Sequence, residues 1–237
     1  MDTKQNTTET KQSTRIQTSL LNAAEKKVLV WLAERQPKWM TSNILSFIGL
    51  GGSLLIGLGY ALTGKDIAFL WLASFGFLVN WYGDSLDGSL ARVRKKQRPI
   101  YGYYLDHTLD CINECFMFIG AGLSPLMDMR IALLMLIAYL LMTINVSIDA
   151  HLKKEFKLTY AKLGPTEFRI IIVIVNTLFF FIHPLREFSA SVNLFGNILT
   201  LKALDIVGIV IFIVLIVMYL VSVIKDLDEY AAIDPRK

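Results

Sequence analysis

Four aspartates in one short stretch of the chain have the spacing of a metal site. Asp84 and Asp87 are three residues apart, and Asp106 and Asp110 are four apart. On helices these spacings place each pair on one face, so two facing helices would bring four carboxylates together. Like charges held close resist joint ionisation, and surrounding hydrocarbon raises that cost. Divalent cations would remove the cost, and oxygen ligands favour Mg²⁺, Mn²⁺ or Ca²⁺ over zinc.

The residues between the two aspartate pairs suit a diphosphate. Gly88 and Ala91 are small enough for a ligand to approach the backbone closely. Arg92 offers a planar guanidinium to phosphate oxygens. Cys111 and Cys115 lie beside the acids, and we interpret them as packing residues of one helix, since two cysteines on one helix do not make a disulfide framework.

These residues carry a resemblance to a known family. The pattern D-x-x-D-G-x-x-A-R, nine residues, G-x-x-x-D-x-x-x-D resembles the signature of the CDP-alcohol phosphotransferases, and it covers 27 of the 237 residues. All eight signature positions are met: Asp84, Asp87, Gly88, Ala91, Arg92, Gly102, Asp106 and Asp110.

The resemblance implies a metal-dependent transferase. Such an enzyme moves a substituted phosphoryl group from a CDP-alcohol to an acceptor alcohol and releases CMP, and its general base would be Asp110. Two Mg²⁺ or Mn²⁺ ions would be held by Asp84, Asp87, Asp106 and Asp110. The cytidine diphosphate would be bound by Asp84, Gly88, Ala91, Arg92 and Gly102. Members of the family are commonly dimers, so the resemblance allows a homodimer.

The composition predicts an all-α integral membrane protein. Hydrophobic residues make up 54% of the chain, and the mean hydropathy is +0.50. Six apolar stretches predict six transmembrane helices, at 44–62, 67–82, 109–126, 131–148, 168–182 and 203–224. The second and third reach a spanning length only as helices over 67–91 and 105–126, which include the motif. The fifth is also short, so we expect its helix to begin near Pro165.

Lysine and arginine predict the orientation of the chain in the membrane. Seven precede the first apolar stretch, five lie in the motif loop and four follow the fourth stretch, whereas the three opposite connections hold one, one and two. Because basic residues favour the cytosolic side, both termini and the active site are predicted to be cytosolic. We assign these residues to anionic lipid and substrate, and not to nucleic acid.

Around the six-helix domain, 40–226, we expect three further segments. Residues 1–18 are polar and predict a disordered cytosolic tail, and 227–237 predict a second cytosolic tail. Residues 19–39 have apolar residues at helical spacing. They predict an amphipathic helix, which either lies in the membrane interface or packs on the bundle. The glycines of the first span predict close helix contact, inside one bundle or in a dimer.

Several residues outside the signature are candidates for binding the acceptor. Glu114 lies one turn beyond Asp110, where an ionisable residue is a functional candidate. The alternative is a buried pairing role with Asn145, His151 or Arg169. Arg169 begins an apolar helix and would bind either lipid headgroups or a substrate phosphate. Three lysines of the preceding loop would assist: Lys153, Lys154 and Lys157.

The acceptor itself is left open by the sequence. We favour CDP-diacylglycerol as donor and a phosphorylated polyol as acceptor, such as glycerol 3-phosphate or inositol phosphate, because such an acceptor needs a second anion pocket. Serine is an alternative acceptor, and CDP-choline or CDP-ethanolamine with diacylglycerol is an alternative pair. In a different class, a six-helix ion-coupled transporter would also use intramembrane carboxylates.

Overall fold

The computed structural model describes residues 14–16, 21–153, 155–157, 164–194 and 197–235, and these residues are mostly helical. The helices of the described residues are α1 (Asn22–Glu34), α2 (Ser42–Leu62), α3 (Phe69–Val93), α4 (Pro99–Leu123), α5 (Met129–Lys153), α6 (Pro165–Phe181), α7 (His183–Glu187) and α8 (Ala203–Ile233). Two short parallel strands are β1 (Thr14–Ile16) and β2 (Glu155–Lys157), and two antiparallel strands are β3 (Ser189–Leu194) and β4 (Asn197–Lys202).

Local sequence signals explain where the helices begin. Thr41 precedes α2, and its hydroxyl accepts a hydrogen bond from the amide of Ile44 at 3.3 Å. Proline stands in the first turn of α4 and of α6, where its missing N–H costs nothing. Pro165 begins α6, as the short apolar stretch predicted, and the Glu167 carboxylate accepts from the Gly164 amide at 3.0 Å.

The turn between the two motif helices is sharp. Lys95 has a left-handed backbone conformation with φ of 53°. Its amide donates to the carbonyl of Arg92 at 3.1 Å, and the amide of Lys96 donates to the carbonyl of Ala91 at 2.9 Å. This pair of bonds is a Schellman motif, which ends a helix and reverses the chain. As a result α3 ends at Val93, and α4 begins at Pro99 after a connection of five residues.

Glycine lets α2 and α3 pack at backbone contact. A Cβ on Gly83 would lie 2.2 Å from the Gly49 nitrogen, and one on Gly52 would lie 2.3 Å from the Asn80 nitrogen. On the α2 and α4 contact, a Cβ on Gly120 would lie 2.3 Å from the Cα of Gly57. These distances leave no room for a side chain. The glycines therefore serve packing inside one bundle, which was one of the two predicted roles.

The remaining helices surround this pair. The far end of α6 is tied to the bundle by Asn176, whose side chain accepts from the Tyr60 hydroxyl at 2.8 Å and donates to Ser74 at 3.2 Å. The start of α8 is tied by Asp205, which is fully buried. Its carboxylate accepts from the amides of Asp128 at 2.6 Å and Lys202 at 2.8 Å. Asp205 thus joins the connection before α5 to the first turn of α8.

Three helices of the described residues are long and apolar enough to cross a membrane: α2, α5 through Leu152, and α8. The motif helices α3 and α4 have 25 residues each, but polar and charged motif residues lower the hydropathy of one half. Helix α6 has 17 residues. The six-span layout therefore remains a prediction for α3, α4 and α6.

The β3–β4 hairpin differs from the all-α expectation. It lies in the connection between α7 and α8, with Ser189 opposite Lys202 and Leu194 opposite Asn197. Residues of β3 alternate between polar and apolar, with Ala190 and Val192 among Ser189, Ser191 and Asn193. Period-two alternation is the ordinary signal of a strand, and it differs from the long apolar runs that predict membrane helices.

Helix α1 packs on the bundle, the second of its two predicted arrangements. Leu29 and Ala33 are buried, with 8% and 2% of their surface exposed, whereas Trp31 is 53% exposed. The helix covers Asn22–Glu34, a shorter stretch than the predicted 19–39. Its position at a membrane surface stays a prediction. The tail 1–18 lies almost entirely outside the described residues, and the tail predicted from 227 continues as helix α8 to Ile233.

Candidate active site

Three of the four motif aspartates form a close cluster. Asp84 is on α3, and Asp106 and Asp110 are on α4. Each offers a carboxylate oxygen that lies within 4.8 Å of the oxygens offered by the other two. Carboxylates this close repel one another unless cations lie among them. The donor set is three hard oxygen ligands, which fits Mg²⁺ or Mn²⁺.

The fourth aspartate, Asp87, lies outside this group of three. One of its carboxylate oxygens accepts from the Ser46 hydroxyl on α2, and the other accepts from the amide of Gly88. Its backbone carbonyl accepts from the Ser42 hydroxyl at 2.8 Å. The spacing predicted that Asp87 lies on the same face of α3 as Asp84 and joins its carboxylate. In the structure the Asp87 carboxylate is turned towards α2 instead. Ser46 was given no role by the sequence, because only the packed structure brings it to Asp87.

Arg169 reaches the cluster from α6. Its Nη2 donates to a carboxylate oxygen of Asp84 at 2.6 Å, and its Nε donates to the side-chain oxygen of Asn80 at 3.0 Å. The Arg169 and Asp84 side chains are 16% and 24% exposed, so the pair is only weakly screened by water. Asn80 in turn donates to the Gly49 carbonyl at 3.1 Å and to Ser53 at 2.9 Å. This network joins α2, α3 and α6 at the site.

The predicted nucleotide-binding residues lie near the ends of α3 and α4. Arg92 is exposed, and its Nη2 donates to the Ser89 hydroxyl at 2.9 Å. A Cβ on Gly88 would lie 3.4 Å from Arg92 Nη1, and one on Gly102 would meet nothing within 4 Å. Ala91 is half-buried. The protein's own packing therefore does not explain the small residue at 102, whereas the one at 88 lies beside the Arg92 guanidinium.

Glu114 is buried one turn beyond Asp110. One carboxylate oxygen accepts from the Thr143 hydroxyl on α5 at 3.3 Å, and the other has no hydrogen-bond partner among the described residues. Two predicted partners bond elsewhere, since Arg169 binds Asp84 and Asn145 donates to Ser222 at 3.1 Å. An acceptor oxygen buried without a donor is costly, which marks Glu114 as a candidate for ligand binding.

The side chains of the three candidate lysines lie outside the part of the chain that the structure describes. Lys153 ends α5 and Lys157 lies in β2, where the backbone alone is described, and Lys154 is outside the described residues. Their predicted role in binding the acceptor stays a prediction.

A cleft of about 460 Å³ opens between α4 and α5. Its walls include His107 and Cys111, which directly follow Asp106 and Asp110 on α4, and Ser147 and His151 on α5. The His107 ring stacks on Tyr103, with the ring centroids 4.0 Å apart. The cleft thus runs along the face of α4 that carries His107 and Cys111, which is about 100° around the helix from the face of Asp106 and Asp110.

This cluster of aspartates lies between α3 and α4, which both pack on α2, in a largely helical and apolar chain. The sequence pattern of the CDP-alcohol phosphatidyltransferase family matches residues 39–232. The chain belongs to this family, as the signature predicted. Its members are membrane enzymes of phospholipid synthesis, and the chain is accordingly an integral membrane protein.

Similar proteins fall into two groups. Cholinephosphotransferase 1 of Homo sapiens is 25% identical over 166 residues, 68% of this chain and 41% of that protein. Cholinephosphotransferase 1 of Mus musculus is 32% identical over 100 residues, 40% of this chain and 25% of that protein. Archaetidylinositol phosphate synthase of Pyrococcus horikoshii is 29% identical over 141 residues, 59% of this chain and 70% of that protein. The chain thus spans about two fifths of the length of the human cholinephosphotransferase.

Proposed function

We propose that the protein transfers a phosphatidyl group from CDP-diacylglycerol to an acceptor alcohol and releases CMP. The observation that carries this proposal is the trio of carboxylates from α3 and α4 within 4.8 Å of one another. Family membership supports the reaction class. Two Mg²⁺ or Mn²⁺ ions held by Asp84, Asp87, Asp106 and Asp110 would offset charge on the transferred phosphoryl group and on the leaving CMP.

Different residues of the chain bind the donor and accept the proton in this reaction. Arg92, Gly88, Ala91 and Gly102 hold the cytidine diphosphate of the donor, with the Asp84 carboxylate beside them. Asp110 accepts the proton of the acceptor hydroxyl as its oxygen attacks phosphorus. One P–O bond forms to the acceptor and one breaks to CMP, and the proton then leaves Asp110 for water. To take part in holding cations, the Asp87 carboxylate would turn away from Ser46 and towards the other three aspartates.

We favour a phosphorylated polyol as the acceptor. The Arg169 guanidinium lies at the cluster, 2.6 Å from Asp84, and Lys153, Lys154 and Lys157 precede it in sequence, so a second anion could be bound near the donor phosphates. Glu114 would accept a hydrogen bond from an acceptor hydroxyl. The name of the archaeal relative refers to inositol phosphate, which is an acceptor of this kind.

A second candidate is transfer from CDP-choline or CDP-ethanolamine to diacylglycerol. It is supported by the likeness to the cholinephosphotransferases, whose name refers to choline. In this reaction the amino alcohol arrives on the nucleotide and the lipid attacks. The same carboxylates would serve, with Asp110 receiving the proton from diacylglycerol.

The test is CMP release by purified protein in detergent with Mg²⁺ or Mn²⁺. One arm offers CDP-diacylglycerol with glycerol 3-phosphate, inositol phosphate, inositol or serine, and the other offers CDP-choline or CDP-ethanolamine with diacylglycerol. We expect metal-dependent release with a phosphorylated polyol. Release in the second arm alone would replace the polyol proposal with the amino-alcohol reaction. If folded protein released no CMP in either arm, the proposal of a transferase would be wrong. Cation flux would then be measured, to test the ion-coupled transporter.

A further inference from the structure

Helix α1 lies outside the residues that match the family, which begin at 39, yet it binds both helices that carry the Arg169–Asp84 pair. The Oε1 atom of Glu25 on α1 accepts from Trp81 Nε1 on α3 at 2.9 Å. The same atom accepts from the Thr166 hydroxyl on α6. One carboxylate oxygen therefore joins α3 to α6.

The positions of these contacts relate them to the active site. Trp81 precedes Asp84 by three residues, and Thr166 precedes Arg169 by three. Three residues are close to one helical turn, so the bridge through Glu25 lies about one turn from the Arg169–Asp84 bond. A second tie holds the same end of α6, because the Leu21 amide donates to Glu167 at 2.8 Å.

Arg169 consequently lies between two fixed points on α6. Beyond it, two turns further along, Asn176 is bonded to Tyr60 and Ser74. Before it, the described hydrogen bonds that join α6 to another helix or its flank run to α1, from Thr166 to Glu25 and from the Leu21 amide to Glu167. The Glu25 bridge therefore adds to the direct packing of α6 on α3 and bears on the reach of the Arg169 guanidinium.

We propose that Glu25 is a positioning residue that holds α6 against α3, so that Arg169 stays at the aspartate cluster. The part of this inference that concerns catalysis rests on the proposed function, whereas the part that concerns the helices does not. Glu25 acts as a hydrogen-bond acceptor towards two donors, so an amide oxygen at the same place can replace its carboxylate.

The first experiment measures hydrogen–deuterium exchange in the purified full-length protein. We expect Glu25→Ala to speed amide exchange in the first turns of α6 at least severalfold, because the lateral tie is lost. Glu34→Ala makes the same change at the exposed end of α1 and should leave α6 unchanged. Exchange in α6 that is equal in wild type and Glu25→Ala would overturn the proposal, whatever reaction the protein performs.

The second experiment is a double-mutant cycle on the rate of CMP release. Glu25→Ala is expected to lower kcat/KM about tenfold, and Glu25→Gln to stay within about threefold of wild type. Arg169→Lys keeps the charge but loses the planar fork. In the Arg169→Lys background, Glu25→Ala should cost less than about threefold, because its effect passes through the guanidinium.

The outcomes of the cycle separate positioning from stability. Equal fold-losses from Glu25→Ala in both backgrounds would show that Glu25 acts independently of Arg169 and would overturn the positioning role. If wild type releases no CMP with any donor and acceptor, the proposed function fails, and the exchange experiment still decides whether Glu25 ties α6 to α3.

Discussion

Two hydrogen bonds hold the Asp87 carboxylate in a position outside the group of three aspartates. They are donated by the Ser46 hydroxyl and by the amide of Gly88. The Ser46 bond comes from another helix, so it can be removed without altering α3. If Asp87 turns towards the cluster when cations bind, the Ser46 bond opposes that turn.

We therefore predict that Ser46→Ala lowers the Mn²⁺ concentration needed for half-maximal CMP release. The expected change is about fivefold, which corresponds to one net hydrogen bond of about 1 kcal/mol. Ser222→Ala, on α8, is the matched control and should leave the metal titration unchanged. A rise in the Mn²⁺ requirement of Ser46→Ala would show instead that Ser46 orients Asp87 as a ligand.

Asp110 supports a second prediction at the level of single residues. Asp110→Asn should lower kcat for CMP release by about 100-fold or more, since a positioned general base contributes about 10²–10⁴-fold. Asp149→Asn makes the same substitution on α5, where the carboxylate accepts from Tyr230 at 2.6 Å, and activity should remain within a few fold. Equal losses in the two variants would contradict a base role for Asp110.

Among connections between elements, Asp205 joins two backbone amides through one buried carboxylate. Its buried carboxylate serves two amides, from Asp128 and Lys202. We predict that Asp205→Ala destabilises the protein by about 3 kcal/mol, because two half-buried backbone amides lose a charged acceptor. Thermal unfolding in detergent measures this.

Asp128→Asn is the control for that measurement. Asp128 bonds to Arg130, whose side chain is 71% exposed, and this hydrogen bond lowers the pKa of Asp128 to about 2. Exposed ion pairs contribute little to stability. The melting temperature of Asp128→Asn should therefore stay close to that of wild type, and a loss as large as that of Asp205→Ala would contradict the role given to Asp205.

The contact of α2 with α3 gives a prediction with an internal control. Gly83→Ala places a Cβ 2.2 Å from the Gly49 nitrogen, whereas Gly51→Ala places one where nothing lies within 4 Å. Gly83→Ala should cost about 3 kcal/mol or more, because backbone must move. Gly51→Ala should be neutral or stabilising by up to about 1 kcal/mol, because alanine favours the helix. Equal melting temperatures would contradict the packing described here.

The helices could be predicted from the sequence more fully than the contacts between them. Motif spacing indicates the faces of α3 and α4, and Pro165 marks the start of α6, because both signals are local. The rotation of the Asp87 carboxylate to Ser46 and the bridge from Glu25 to Trp81 depend on residues 41 and 56 positions away. No local pattern specifies such pairs. The β3–β4 hairpin is different, because its alternation is visible in the sequence.

At the scale of the whole molecule, the distribution of basic residues predicts an active site on the cytosolic side. Lys65→Cys, between α2 and α3, and Lys96→Cys, in the motif loop, test this in a background that lacks Cys111 and Cys115. With an impermeant maleimide, intact cells should label residue 65, and residue 96 should react only after permeabilisation. The reverse labelling pattern would show that the orientation in the membrane is opposite to the predicted one.

The glycine contacts have a consequence for mutational scanning. Gly52, Gly83 and Gly120 would be as intolerant of substitution as the aspartates, although none bears a reactive group. In a selection for growth alone, glycine variants and aspartate variants would both be lost, and the glycines would be mistaken for active-site residues. Scoring protein abundance in parallel would separate them, since aspartate variants should accumulate normally and glycine variants should be degraded.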